Sequence, residues 1–156
     1  MTIAKTVENY LQQNRVAYDV VPHPHTSSTR GTVQTAHVPA DRVAKAVVLH
    51  DAGGGGYVMA VVPGSRHVSV KTLSKKLGRE LNLAGEDSLV PVFKDCAVGA
   101  IPPLGPAYGM ETIVDDSLVG VPEIYFEAGD HEELIRVKGE QFLSLLREAR
   151  HGQFTH

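Results

Sequence analysis

The chain has 156 residues, a length that fits one domain able to bury well over half of the surface its unfolded form exposes. A formal net charge of −3 argues against a protein that grips duplex DNA through a global basic field, and the single cysteine, Cys96, leaves no intramolecular disulfide and no multi-cysteine zinc site. No apolar run approaches the length of a membrane span and the first residues read as a polar amphipathic helix rather than a signal peptide, so the expectation is a cytoplasmic protein with no membrane or DNA partner.

Ile3, Val7, Tyr10 and Leu11 share one stripe at helical spacing, which predicts an opening helix that ends near Gln13 and Asn14. A short strand follows over residues 18–21 and stops at Pro22. Thr26, Ser27, Ser28 and Thr29 are a cluster of capping residues ahead of a short helix over 32–37, which Pro39 ends. Residues 43–49 (VAKAVVL) and 57–62 (YVMAVV) are apolar on both faces and are joined by Asp51, Ala52 and four glycines, which predicts an antiparallel pair of central strands. A helix begins at or beside Thr72 and runs to Gly78, residues 86–89 make a further helical turn, and 90–93 lead into a Gly/Pro loop. Strands are expected over 113–114, 124–126 and 133–137, and Gly139 introduces a C-terminal helix carrying Phe142, Leu143, Leu145 and Leu146. Residues 1–150 thus read as one compact α/β (α+β) domain with a mixed sheet, and 151–156 as a frayed tail.

The loop at residues 99–106 (GAIPPLGP) is the first candidate site. Pro102 and Pro103 have no N–H, and Pro102 pushes Ile101 toward extended geometry, so the amides of Gly99, Ala100 and Ile101 are left as donors without an evident ladder partner. Gly99 lets a ligand approach the main chain closely, and a row of amides can polarise a carbonyl in acyl transfer. An ordinary connecting loop has the same composition. Lys45, inside an otherwise apolar strand, is the second candidate, because an ammonium taken from water calls for an anionic partner unless its head snorkels out. His131 lies in a turn between two predicted strands, where it can face a cleft. His23 and His25 lack a fixed third ligand for zinc, and nothing places a base beside Cys96. Asp115 and Asp116 read as turn-capping residues, and the four glycines lack the Lys-Ser/Thr of a phosphate cradle. Arg66, Lys71, Lys75, Lys76 and Arg79 make a local basic patch, with Lys71, Lys75 and Arg79 on one helix face.

Lys45 in the V-A-K-A-V-V-L strand, Gly99-x-x-x-Pro103 and the later Gly129-Asp130-His131, in this order, resemble the YbaK/EbsC family of free-standing aminoacyl-tRNA deacylases and prolyl-tRNA synthetase editing domains. The resemblance runs from the first helix to the last. It implies a curved, largely antiparallel mixed sheet flanked by helices over residues 1–150, and hydrolysis of the ester between a wrong amino acid and the 3′-terminal adenosine of a tRNA. It assigns Lys45 to anchoring the tRNA end, Gly99 and Ala100 to holding the aminoacyl carbonyl, and Ile101, Pro103 and His131 to the substrate pocket. The base would be a tRNA ribose hydroxyl, and neither metal nor other cofactor is implied. Partners would be the acceptor end of aminoacyl-tRNA and a synthetase. Some alanine-clearing relatives carry asparagine directly after the lysine, where this chain has Ala46, which counts against alanine as the substrate. A pocket that holds a nucleotide or tRNA end without hydrolysis is the alternative function, and a thiol hydrolase built on Cys96 is a third.

Overall fold

The structure is a computed structural model that describes residues 3–23, 38–97 and 100–156. The helix expected over 32–37 and the positions of His25 and Gly99 lie outside the described residues. Eight strands form one sheet: β1 (Asp19–Pro22), β2 (Val43–Asp51), β3 (Tyr57–Pro63), β4 (Leu81–Leu83), β5 (Glu111–Asp115), β6 (Glu123–Glu127), β7 (Glu133–Lys138) and β8 (Arg150–Gly152). Among the described residues the helices are α1 (Lys5–Gln13), α2 (Val70–Leu77), α3 (Glu86–Leu89) and α4 (Gly139–Leu145). The spatial order is β1-β7-β6-β2-β3-β5-β8, with β4 added to β2. The sheet is mixed, since β2 runs parallel to β6 and β3 parallel to β5, while β1/β7, β2/β3, β2/β4 and β6/β7 are antiparallel.

The apolar β2/β3 hairpin forms as its sequence predicts, paired from Ala44↔Pro63 to His50↔Tyr57. Asp51 closes the glycine turn, its Oδ1 accepting the amides of Gly53 (2.9 Å) and Gly54 (3.0 Å), and Gly55 takes φ +73°, where glycine meets no Cβ penalty. Both faces of the hairpin are covered. Ala44, Val48, Met59 and Val61 pack with Phe126, Phe142, Leu104 and the α1 residues Val7 and Leu11, while Leu49, Val58, Ala60 and Val62 pack with Leu73 of α2 and Phe154.

The C-terminal residues depart from expectation. Residues 150–152 extend the sheet in parallel with β5, Phe154 is 1 % exposed with its amide donating to Asp115 Oδ1 (3.1 Å), and Val68 bridges to Thr155. The tail is held because one aromatic side chain fills the second core and the carboxylate of Asp115 meets the backbone beside it. Asp115 caps a turn as anticipated, its Oδ2 accepting the Ser117 amide at 3.1 Å. Short β4 is likewise a strand that the sequence reading left unassigned.

Candidate active site

Strand β2 has one closed edge and one divided edge. β3 runs along the first from Ala44 to His50; on the other, β6 pairs only with Val43 and Ala44, and β4 only with Leu49, His50 and Asp51. Backbone polar groups alternate between the two edges of a strand. The Val43 carbonyl accepts from Gly64 on the β3 side (2.7 Å), and the Val48 carbonyl accepts from Ala84 on the β4 side (3.0 Å). Ala46, two residues before Val48, therefore directs its N–H and C=O into the gap between β6 and β4. A cavity of about 320 Å³ occupies that gap, lined by residues 43–48 of β2, by Leu83 and Ala84, by Leu89, Val90 and Phe93, by Cys96, Ala97 and Ile101, and by Glu86 and Glu127.

Because the cavity straddles a strand edge, it meets both faces of the sheet. Ala44, Ala46 and Val48 share the face that carries Leu89 and Phe93, which makes one end apolar. Lys45 and Val47 point to the opposite face. The parallel register Ala44↔Phe126 sets Glu127 beside Lys45 there, and His23 Nε2 stands 3.9 Å from Glu127 Oε1. Lys45 is half-buried, no described residue forms an ion pair with it, and burial pushes its ammonium down from the ordinary lysine value.

The wall carrying Ile101 is fixed by convergent bonds. Gly129, at φ +108°, accepts the Ala97 amide on its carbonyl (2.7 Å), while the neighbouring Ala128 carbonyl accepts the Ala4 amide (2.7 Å). A Cβ at Gly129 would stand 3.0 Å from Ala4 Cβ and 3.4 Å from Cys96 Sγ, so glycine suits both the backbone and the packing. Asp95 accepts from the Thr6 amide at the start of α1 (2.9 Å) and from Tyr108 Oη (3.0 Å); burial opposes its charge, yet these bonds hold its carboxyl below the usual range. Cys96 Sγ lies 3.3 Å from Tyr108 Oη, and burial pushes the thiol up to about 12, which keeps it protonated at neutral pH.

Of the residues singled out from sequence, Lys45, Cys96 and Ile101 line this cavity. The Ile101 amide has no partner among the described residues. Ala100 departs from expectation: it is fully buried, does not line the cavity, and its amide already donates to the Ala97 carbonyl at 3.1 Å. Pro103 is buried and does not line the cavity. His131 also stands outside the lining, 4 % exposed at φ +61° in the β6/β7 turn, where the Asp130 Oδ1 accepts the amides of Glu132 and Glu133, each at 3.0 Å. Arg79 leaves the basic patch, since Asp51 (2.7 Å) and Glu111 (2.7 Å) both hold it; Lys71, Lys75 and Lys76 remain exposed. Glu127, Phe93 and the β4 residues were not anticipated. The alternation in Leu81-Asn82-Leu83 was a readable strand signal, whereas the β2/β6 register that places Glu127 was not.

A family model for the aminoacyl-tRNA editing domain matches residues 23–145. No curated protein matches. Among solved structures, the hypothetical protein APE2540 superposes with a TM-score of 0.84 at 17 % identity, covering 97 % of this chain and 100 % of that one. A candidate trans-editing enzyme for prolyl-tRNA synthetase superposes with a TM-score of 0.80 at 20 % identity, over 97 % and 96 % of the two chains. A candidate signal transduction protein from Marinobacter aquaeolei VT8 gives 0.80 at 18 % identity, covering 99 % of this chain and 31 % of that one. These likenesses agree in fold, and with the match over residues 23–145 they place this chain in the aminoacyl-tRNA editing domain family.

Proposed function

We propose that this chain is a deacylase that hydrolyses the ester of a mischarged aminoacyl-tRNA at the divided edge of β2. The observation that carries the reading is one cavity in which Lys45, half-buried and with no ion pair among the described residues, and Ile101 line the same space as an apolar compartment. In this reading the Lys45 ammonium engages the phosphate or ribose of the tRNA 3′ end, and the acyl side chain enters the end walled by Leu89 and Phe93. The Ile101 N–H, with Gly99 as a second donor, stabilises the oxyanion formed when water adds to the ester carbonyl. The bond between the carbonyl carbon and the ribose oxygen then breaks; one proton of the water passes to that oxygen and the other to solvent as the amino acid leaves as a carboxylate. A tRNA ribose hydroxyl serves as the base by relay, taking up the proton of the attacking water as it gives its own to the leaving ribose oxygen. His131 and Pro103, buried and outside the lining, act on the pocket indirectly.

A synthetase site separates amino acids that differ by a methylene by only ~1–3 kcal/mol, which is the physical need for such a second site. Cytoplasmic translation is the setting, and the acceptor end and a synthetase are the partners. The test is a panel of correctly and incorrectly charged tRNAs given to the purified protein. Hydrolysis confined to one mischarged class is the expected result. Exposed Lys71, Lys75 and Lys76 also fit a second reading, a module that binds a tRNA end without cleaving it; tight tRNA binding with every ester left intact would establish that instead.

A further inference from the structure

Lys45 stands apart from the other lysines of the chain. Lys5, Lys71, Lys75, Lys76, Lys94 and Lys138 are all exposed, whereas Lys45 is half-buried and lines a cavity of about 320 Å³. Glu86 and Glu127 line the same space, yet no described residue forms an ion pair with Lys45. A carboxylate in contact would hold the proton on the amine; its absence leaves the ammonium without that support. Much of the wall around it is aliphatic, from Val43, Val47, Val48 and Leu89, and burial lowers the proton affinity further. Both effects enlarge the share of free amine, the form that attacks a carbonyl.

We propose that Lys45 is a site of covalent acylation by small acyl phosphates. A protein acyltransferase must draw a lysine side chain away from its own surface, which exposed lysines allow and a half-buried one resists. A donor of a few heavy atoms can instead enter the cavity. Its phosphate suits the ammonium form of Lys45, and its acyl carbon suits the free amine. In the transfer Nζ adds to the acyl carbon, and the bond from that carbon to the bridging oxygen breaks with its electron pair going to phosphate. The proton lost from nitrogen passes to the phosphate or to solvent. The product is a neutral amide, so the cavity loses its cation and part of its volume. Where the deacylase reading holds, acylation therefore also lowers ester hydrolysis.

The test follows the modification itself, so that it does not depend on turnover. Acetyl phosphate is added to the folded protein at neutral pH, and acetylation of each lysine is followed over time by peptide mass spectrometry. Lys45 should react at least about threefold faster than the mean of exposed Lys71, Lys75 and Lys76. In urea, where no cavity remains, all of them should react at similar rates. Lys45 reacting no faster than the exposed lysines in the folded protein, or keeping its lead in urea, would overturn the assignment even if the protein deacylates tRNA. Selective acetylation of Lys45 with tRNA hydrolysis unchanged, or with no ester cleaved by the untreated protein, would instead keep the acylation site and take Lys45 out of the deacylase reading.

Discussion

Strand β2 carries a charge near each end, and the two are treated in opposite ways. Asp51 is enclosed by partners: two glycine amides and the Arg79 guanidinium, whose hydrogen bond holds the carboxyl below its usual range. Lys45 is half-buried beside a cavity with no ion pair among the described residues, and burial works against its charge. A charge whose partners lie within the fold serves the fold; a charge left without one, in a cavity, is placed for something that arrives from outside.

Replacing Lys45 breaks the comparison most severely. Lys45→Met should lower deacylation by about 10²-fold, the scale on which single electrostatic contacts to a reacting centre act, and should at the same time raise Tm. The sign follows from the direction of the lysine shift: burial works against the ammonium in the fold, so an apolar side chain of similar length relieves that cost. A fall in Tm together with unchanged activity would place Lys45 with the structural charges. Asp51→Ala should do the reverse, lowering Tm by loosening the glycine turn and freeing Arg79, with the catalytic rate unchanged in the folded protein. Its stabilising effect is present above the usual aspartate range and is lost as pH falls through the lowered folded value, so the difference in Tm between wild type and Asp51→Ala should shrink in acid.

Smaller effects sharpen the boundary of the site. Lys75→Glu/Lys76→Glu should raise KM for tRNA several-fold, increasingly at low salt, and leave the rate at saturation alone. Cys96→Ala should change kcat less than about twofold, because a protonated thiol contributes no nucleophile. In wild type the folded thiol keeps its proton to about 12 while the unfolded chain releases it near the ordinary 9.0, so the native state binds more protons in that window and stability falls as pH rises through it. Alkaline melts of Cys96→Ala should lack this component.

The sequence was most legible where pattern is local. The two faces of the β2/β3 hairpin, the Asp51 turn, the 86–89 turn and Gly139 at the start of α4 all follow from apolar runs and turn chemistry. Gly139 shows how firmly: a Cβ there would come within 1.7 Å of the Val121 carbonyl. What could not be read depends on pairing between distant segments. The split edge of β2 requires β6 and β4 to share it, and Phe154 becomes core because Asp115, 39 residues earlier, receives its amide. For the same reason Lys45 and Ile101 are legible as unusual residues but not as lining one cavity, and the sequence does not show that the Ala100 amide is already bonded to the Ala97 carbonyl.

The central claim is that the β2 charge with no ion pair among the described residues belongs to the reaction and the one held by Arg79 and the glycine amides to the fold. Single-turnover hydrolysis of one mischarged tRNA by wild type, Lys45→Ala and Asp51→Ala, each checked for folding by its melt, tests this directly. The account predicts an unchanged rate for Asp51→Ala and a loss of about 10²-fold for Lys45→Ala in a protein at least as stable as wild type. Hydrolysis at the wild-type rate by folded Lys45→Ala would contradict it.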